Sequence, residues 1–92
     1  MNFLNYLYEF IGSIFFIFVV LSTNNPLIIG LSFSLLMLIL KNLSGGYINP
    51  VISITMAVSG KLPIEDVFPY CVVQILGGLF AYEIYKRIPH PQ

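Results

Sequence analysis

The sequence predicts an all-α membrane protein: three transmembrane helices plus one re-entrant half-helix. Three observations carry that reading. The 92 residues are 58% hydrophobic and 9% charged, with mean hydropathy +0.90, which excludes a soluble globular domain or a disordered chain. The apolar residues fall into three runs, and a run of about 20 crosses a hydrocarbon core of about 30 Å. Between the second and third runs, Asn42 to Gly60 carries no charge yet contains Ser44-Gly45-Gly46 and Asn49-Pro50, a segment too broken to span and too apolar to sit in water.

The first span covers Phe3–Ser22 and has Glu9 as its sole ionisable carboxylate. Thr23-Asn24-Asn25-Pro26 is a tight turn, with Asn25 as N-cap and Pro26 opening the next helix. The second span runs over residues 27–43, where Gly30 and Ser34 set small residues four apart on one face and let another helix approach. Residues 44–59 form the re-entrant loop and half-helix. Ser-Gly-Gly breaks the preceding helix, Asn49 caps the new one, Pro50 suits its first position and Gly60 its end. Pro50 to Ser59 spans about 15 Å of helix, half of the hydrocarbon core. The third span covers residues 64–86. It places Glu65 and Asp66 in its first turn, where the helix dipole favours negative charge. Gln74 and the pair Gly77-Gly78 fall near mid-depth, and Glu83 lies within helical reach of Lys86 and Arg87. The whole chain, 1–92, reads as one domain.

Four basic and four acidic residues give a formal net charge of zero, so no basic patch exists for nucleic acid. Cys71 is the one cysteine and forms no internal disulfide; His90, in the Pro89–Gln92 tail, is given no role. A cleaved signal peptide is not expected, because no basic stretch precedes the first apolar run. No nucleophile–base pair or metal-ligand set is present, so neither an enzyme nor a cofactor or metal site is expected. The residue types that stand out are Glu9, costly to bury in a membrane without a partner or a cavity, Asn49 and Gln74. Read from the residues alone, the alternatives are a Glu9 near the interface that simply faces water, an Asn49 that only caps a helix and a Gln74 that is only a packed amide between spans.

Taken together these residues resemble one half of an aquaporin, of the major intrinsic protein family. Ser44-Gly45-Gly46-Tyr47-Ile48-Asn49-Pro50-Val51 resembles that family's first-half signature S-G-A-H-x-N-P-A. Glu9-Phe10-Ile11-Gly12-Ser13 resembles E-F-x-G-T of its first helix, and Gln74-Ile75-Leu76-Gly77-Gly78 resembles Q-x-x-G-A of its third. Three motifs in the right order weigh far more than an Asn-Pro dipeptide. The resemblance implies that Asn49 and Pro50 form a mid-membrane pore tip, with Glu9 and Gln74 holding the loop of Gly45 and Gly46, and Gly12, Gly77 and Gly78 serving helix packing. It also exposes departures. Val51 replaces an alanine, Tyr47 a histidine, Ile52 stands where the family's second half carries an arginine, and Ile29 falls at an aromatic position of water-selective members.

The resulting expectation is a passive channel for water or small neutral solutes such as glycerol. Its pore is formed by two antiparallel copies, as a tetramer of dimers by analogy, or with a complementary half-protein. The alternative is a non-conducting structural or regulatory membrane protein of half-aquaporin type, which Val51, Ile29 and the missing arginine favour. Besides membrane lipid, no other partner is implied.

Overall fold

The computed structural model describes residues 3–89, so the expectations on His90, Pro91 and Gln92 lie outside the described residues. Every regular element among them is helical: α1 (Phe3–Ser22), α2 (Pro26–Leu40), α3 (Pro50–Val58) and α4 (Val67–Arg87), the last entered through a 3₁₀ turn at Ile64–Asp66. α1 and the continuous Ile64–Arg87 segment are each long and apolar enough to cross a bilayer. α2, with 15 residues, reaches about 22 Å. The nine residues of α3 reach about 14 Å.

Two asparagines open helices in the same way. Asn25 Oδ1 accepts from the N–H groups of Leu27 and Ile28 at 2.9 and 3.4 Å. Asn49 Oδ1 accepts from Val51 N–H at 2.8 Å. In each case a proline follows at the first helical position, where a missing donor costs nothing.

Two helix boundaries differ from the sequence expectation. α2 ends at Leu40 and not near residue 43, because the Leu40 carbonyl accepts from both Leu43 N–H (2.9 Å) and Gly45 N–H (3.0 Å). That tightening turns the chain before the glycines are reached. The α-helical part of the last element starts at Val67, three residues late. Pro69 lacks the N–H that an α-helix would give to the Glu65 carbonyl, so the preceding residues settle into a 3₁₀ turn closed by Asp66 N–H on Pro63 O at 2.9 Å.

α1 packs chiefly along α4. The crossing is close at Gly77, where an added Cβ would lie 2.8 Å from the Phe10 carbonyl oxygen and 2.9 Å from Ser13 Cβ. The buried residues of α4, Tyr70, Gln74, Gly77 and Ala81, form one stripe at helical spacing. A small core of Leu36, Leu40 and Ile48, flanked by Tyr8, Phe16 and Phe33, joins α2 to the loop before α3. Gly12 lies beneath it, and a Cβ there would come within 2.7 Å of Ile48 Cδ1.

Large apolar side chains cover much of the outside of the molecule. Phe68, Leu38 and Val58 are 78%, 79% and 83% exposed. Only 17% and 22% of the apolar windows of the two long helices are buried. Such surfaces exclude a soluble monomer and suit hydrocarbon. The charged ends agree: Lys41 and Lys61 line a polar hollow with Asn5 and Asp66 at one end of the bundle. At the other, exposed end Glu83 pairs with Lys86 (3.1 Å) and Arg87 (2.7 Å), contacts of little energetic weight.

Candidate functional site: a carboxylate-anchored loop and its asparagine tip

Between α2 and α3 the chain runs without regular structure from Gly45 to Ile48. The backbone takes positive φ at three of these residues: Gly45 (+105°), Gly46 (+66°) and Ile48 (+66°). The glycines accept this readily, and at Gly46 the loop also passes so near α2 that a Cβ would meet Met37 Cα at 3.2 Å. Ile48 is different. A β-branched residue at positive φ is strained by about 1–3 kcal/mol and persists only where its surroundings hold it. Three contacts hold Ile48: its N–H on Glu9 Oε1 (2.8 Å), its carbonyl under Ser13 Oγ–H (3.4 Å), and its side chain in the Leu36–Leu40 core.

Glu9 is 0% exposed and meets four donors. Oε1 accepts from Ile48 N–H (2.8 Å) and Gln74 Nε2–H (2.9 Å). Oε2 accepts from Ser44 Oγ–H (2.5 Å) and Tyr47 N–H (3.2 Å). A carboxylate offers acceptors only, and two donors on each oxygen satisfy it, which is how a buried acid is tolerated. The loop's other N–H groups are also used: Gly45 N–H on the Leu40 carbonyl and Gly46 N–H on Ser44 Oγ at 3.4 Å. Every N–H from Gly45 to Ile48 is therefore spent internally.

The carbonyls divide differently. Ser44 O accepts from the buried Tyr70 hydroxyl at 2.6 Å. Asn49 O accepts from Ser53 N–H (2.9 Å) and Ser53 Oγ–H (3.2 Å). For Gly45, Gly46 and Tyr47 no carbonyl partner occurs among the described residues. The same holds for the amide nitrogen of Asn49, whose oxygen is committed to Val51 N–H. Three consecutive carbonyls, at half-buried Gly45 and Tyr47 and buried Gly46, thus have no partner among the described residues, and the exposed tip carries an amide donor group at the positive end of a half-helix.

The remaining sequence-singled residues are placed as follows. Pro50 and Ile52 are half-buried and Val51 is 70% exposed beside the tip. A hollow of about 260 Å³ lies next to them, walled by Phe16, Ile17, Ile48, Asn49, Pro50 and Gln74. Tyr47 lays its ring over Gly45 and donates from its hydroxyl to the Lys61 carbonyl at 3.5 Å. Ile29 is half-buried early in α2, seven residues and about 10 Å of helix before Leu36, and is not among the residues that wall this hollow. Gly30 and Ser34 face outward, with nothing within 4 Å of a Cβ at Gly30. Gly78 has ordinary room, 3.5 Å from Ile17 Cγ1.

Gln74 makes no hydrogen bond to the loop backbone among the described residues; it bridges Glu9 and Ser53 Oγ (2.8 Å), and its own Oε1 is buried without a partner among them. Sequence reasoning assigned no role to Ser53, Tyr70 or the Tyr6–Asp66 hydrogen bond (2.7 Å) that ties α1 to the start of α4. Spacing held a signal for two of them: Tyr70 is four residues before Gln74, and Ser53 four after Asn49.

An all-helical, lipid-facing bundle that folds a polar loop onto a buried glutamate defines an integral membrane protein. The comparisons name the family. The profile of the major intrinsic proteins matches residues 2–91. The chain belongs to the major intrinsic protein family, whose members are membrane channels, not enzymes, and form oligomers. It is 37% identical over 91 residues to Aquaporin-8 of Notomys alexis, covering 87% of this chain and 35% of that protein. It is 45% identical over 42 residues to Aquaporin Z of Brucella melitensis (46% and 18%). To Glycerol uptake facilitator protein-like 6 of Lactiplantibacillus plantarum it is 31% identical over 85 residues (83% and 39%). The chain spans at most about two fifths of the length of these relatives. No solved structure matches it at the same stringency.

Proposed function

We propose that this chain contributes one half of a passive pore for water and small neutral solutes such as glycerol, completed by a second copy inserted the opposite way. α1, α2 with its following turn, and α4 would cross the membrane, and the loop with α3 would re-enter it. The observation that carries the reading is the loop's asymmetry. Glu9, Ser44 and the Leu40 carbonyl consume the N–H groups of residues 45 to 48, while the Gly45, Gly46 and Tyr47 carbonyls have no partner among the described residues. A water or hydroxyl stripped of its hydration shell donates to those carbonyls in turn and accepts from the Asn49 amide at the tip. Cations and protons meet the positive end of α3, the electrostatic device of aquaporin-type pores.

The filter is where this chain departs. Val51 adds bulk beside the tip, Ile52 supplies no cation, and Ile29 no aromatic ring. Selection then rests on size and apolarity with little directed hydrogen bonding, so glycerol passes with water. The bulk of exposed Val51 also favours a second reading, a half-aquaporin that packs in the membrane without conducting.

The test is stopped-flow light scattering of proteoliposomes holding this chain alone. A hyperosmotic sucrose step should give water efflux well above protein-free vesicles, and a glycerol step should give shrinkage followed by reswelling. Fast water flux with glycerol excluded refutes the filter reading, and flux equal to empty vesicles favours the non-conducting one.

A further inference from the structure

The geometry points to Ser53 as a positioning residue that sets the tip asparagine through a one-way relay of hydrogen bonds starting at Glu9. Each link fixes the direction of the next. Glu9 accepts only, so the Gln74 amide must turn its nitrogen to Oε1 at 2.9 Å. The second hydrogen of that nitrogen then goes to Ser53 Oγ at 2.8 Å. With a lone pair so occupied, the single Ser53 hydroxyl proton is directed to the Asn49 carbonyl at 3.2 Å.

The orientation of Gln74 has a cost that marks it as imposed. Its Oε1 is buried with no partner, and Gln74 as a whole is 3% exposed. Turning the amide over would set that oxygen against the Glu9 carboxylate, so the orphan persists. Ser53 is 0% exposed, which keeps water from replacing either of its bonds. At the far end, the Asn49 carbonyl is held from two sides, by Ser53 N–H and Ser53 Oγ–H. That grip fixes the extended backbone of Asn49 (φ −139°, ψ 132°) from which its side chain caps Val51 N–H. The Asn49 amide nitrogen is thereby presented outward in one orientation. The relay belongs to the chain itself; only its consequence for solute selection rests on the channel reading.

The experiment is amide hydrogen exchange by NMR of the full chain in lipid nanodiscs, comparing wild type, Ser53→Ala, Ser53→Cys and Ser53→Thr. Two probes separate positioning from general stability: Val51 N–H, capped by Asn49, and Ile48 N–H, held by Glu9. Ser53→Ala should speed Val51 exchange about tenfold while leaving Ile48 unchanged. Ser53→Thr, which keeps the hydroxyl, should restore wild-type exchange. Ser53→Cys fills the same space with a weaker donor and should be intermediate, which keeps the test alive should the alanine variant fail to fold. Unchanged Val51 exchange in the alanine and cysteine variants, or Val51 and Ile48 rising together, overturns the assignment. Where wild-type vesicles conduct, Ser53→Ala should also shift the glycerol-to-water permeability ratio at least twofold. A wild type that does not conduct sinks the channel reading and leaves the exchange result to stand alone.

Discussion

Replacing Glu9 by alanine should release the loop. Four donors lose their acceptor: Tyr47 N–H, Ile48 N–H, Ser44 Oγ–H and Gln74 Nε2–H. The two side chains have some freedom to turn elsewhere. The two backbone groups have none, and each unsatisfied buried group costs about 1–3 kcal/mol, so the loss is about 2–6 kcal/mol. Ile48 then loses one of the contacts that hold its positive φ, which pushes the value toward the upper end. Glu9→Gln is the informative control. All four partners are donors, so a glutamine keeps two bonds on its oxygen and turns its own N–H₂ toward two other donors. Gln74 holds a spare acceptor in its orphaned Oε1, and a half-turn of that amide recovers one contact. The glutamine variant should therefore fall between wild type and alanine. Denaturant titration in mild detergent, followed by circular dichroism, gives the order directly. Equal midpoints for wild type and alanine, or for alanine and glutamine, would refute the anchoring argument.

Tyr70→Phe removes the hydroxyl on the Ser44 carbonyl and should cost about 1–2 kcal/mol in the same titration, with helix content unchanged. Gly77→Ala drives a methyl to 2.8 Å from the Phe10 carbonyl and should separate α1 from α4 at a cost of about 1–3 kcal/mol. Gly30→Ala, with open space around it, should be neutral or gain up to about 1 kcal/mol from helix propensity. Cysteines placed along residues 44 to 59, with one at Lys61 as the reference, should label more slowly with a membrane-impermeant reagent at Ile48 and Val51 than at Lys61; equal rates would rule out a loop that re-enters the membrane.

The starts of α2 and α3 were legible because they are local, whereas the start of α4 was displaced by Pro69. Asn25-Pro26 and Asn49-Pro50 each write a cap and a first turn into two residues, and Ser-Gly-Gly writes the break before the second of them. The early end of α2 was not legible. It depends on one carbonyl, that of Leu40, collecting two N–H groups from a loop whose path is set by Glu9, some thirty residues earlier. Glu9 stood out because a carboxylate amid Phe and Ile demands an explanation. Ser53 and Tyr70 did not, since serine and tyrosine are unremarkable in an apolar helix until the fold supplies Gln74 and the Ser44 carbonyl. Gln74 drew notice for the right chemistry, with a partner list only the α1–α4 crossing could give. Gly30 and Ser34 show the converse: helical spacing of small residues places them on one face without saying whether a helix of this chain reaches it.

Under the proposed function, copies of this one chain, inserted in opposite directions, complete each other's pore. Basic residues near span ends set orientation, and here they divide evenly, with Lys41 and Lys61 at one end of the bundle and Lys86 and Arg87 at the other. Two lysines added after Asn24 should bias the chain to one orientation, and exchanging Lys41 and Lys61 for glutamine in that variant should strengthen the bias. Converting Lys86 and Arg87 to glutamine biases it the other way. The decisive measurement is osmotic water flux in vesicles from cells expressing each biased variant alone and both together. Each alone should be silent and the pair should restore flux to near the wild-type level. Full flux from one biased variant by itself, with a reporter on residue 92 found wholly on one side, would contradict the antiparallel pore.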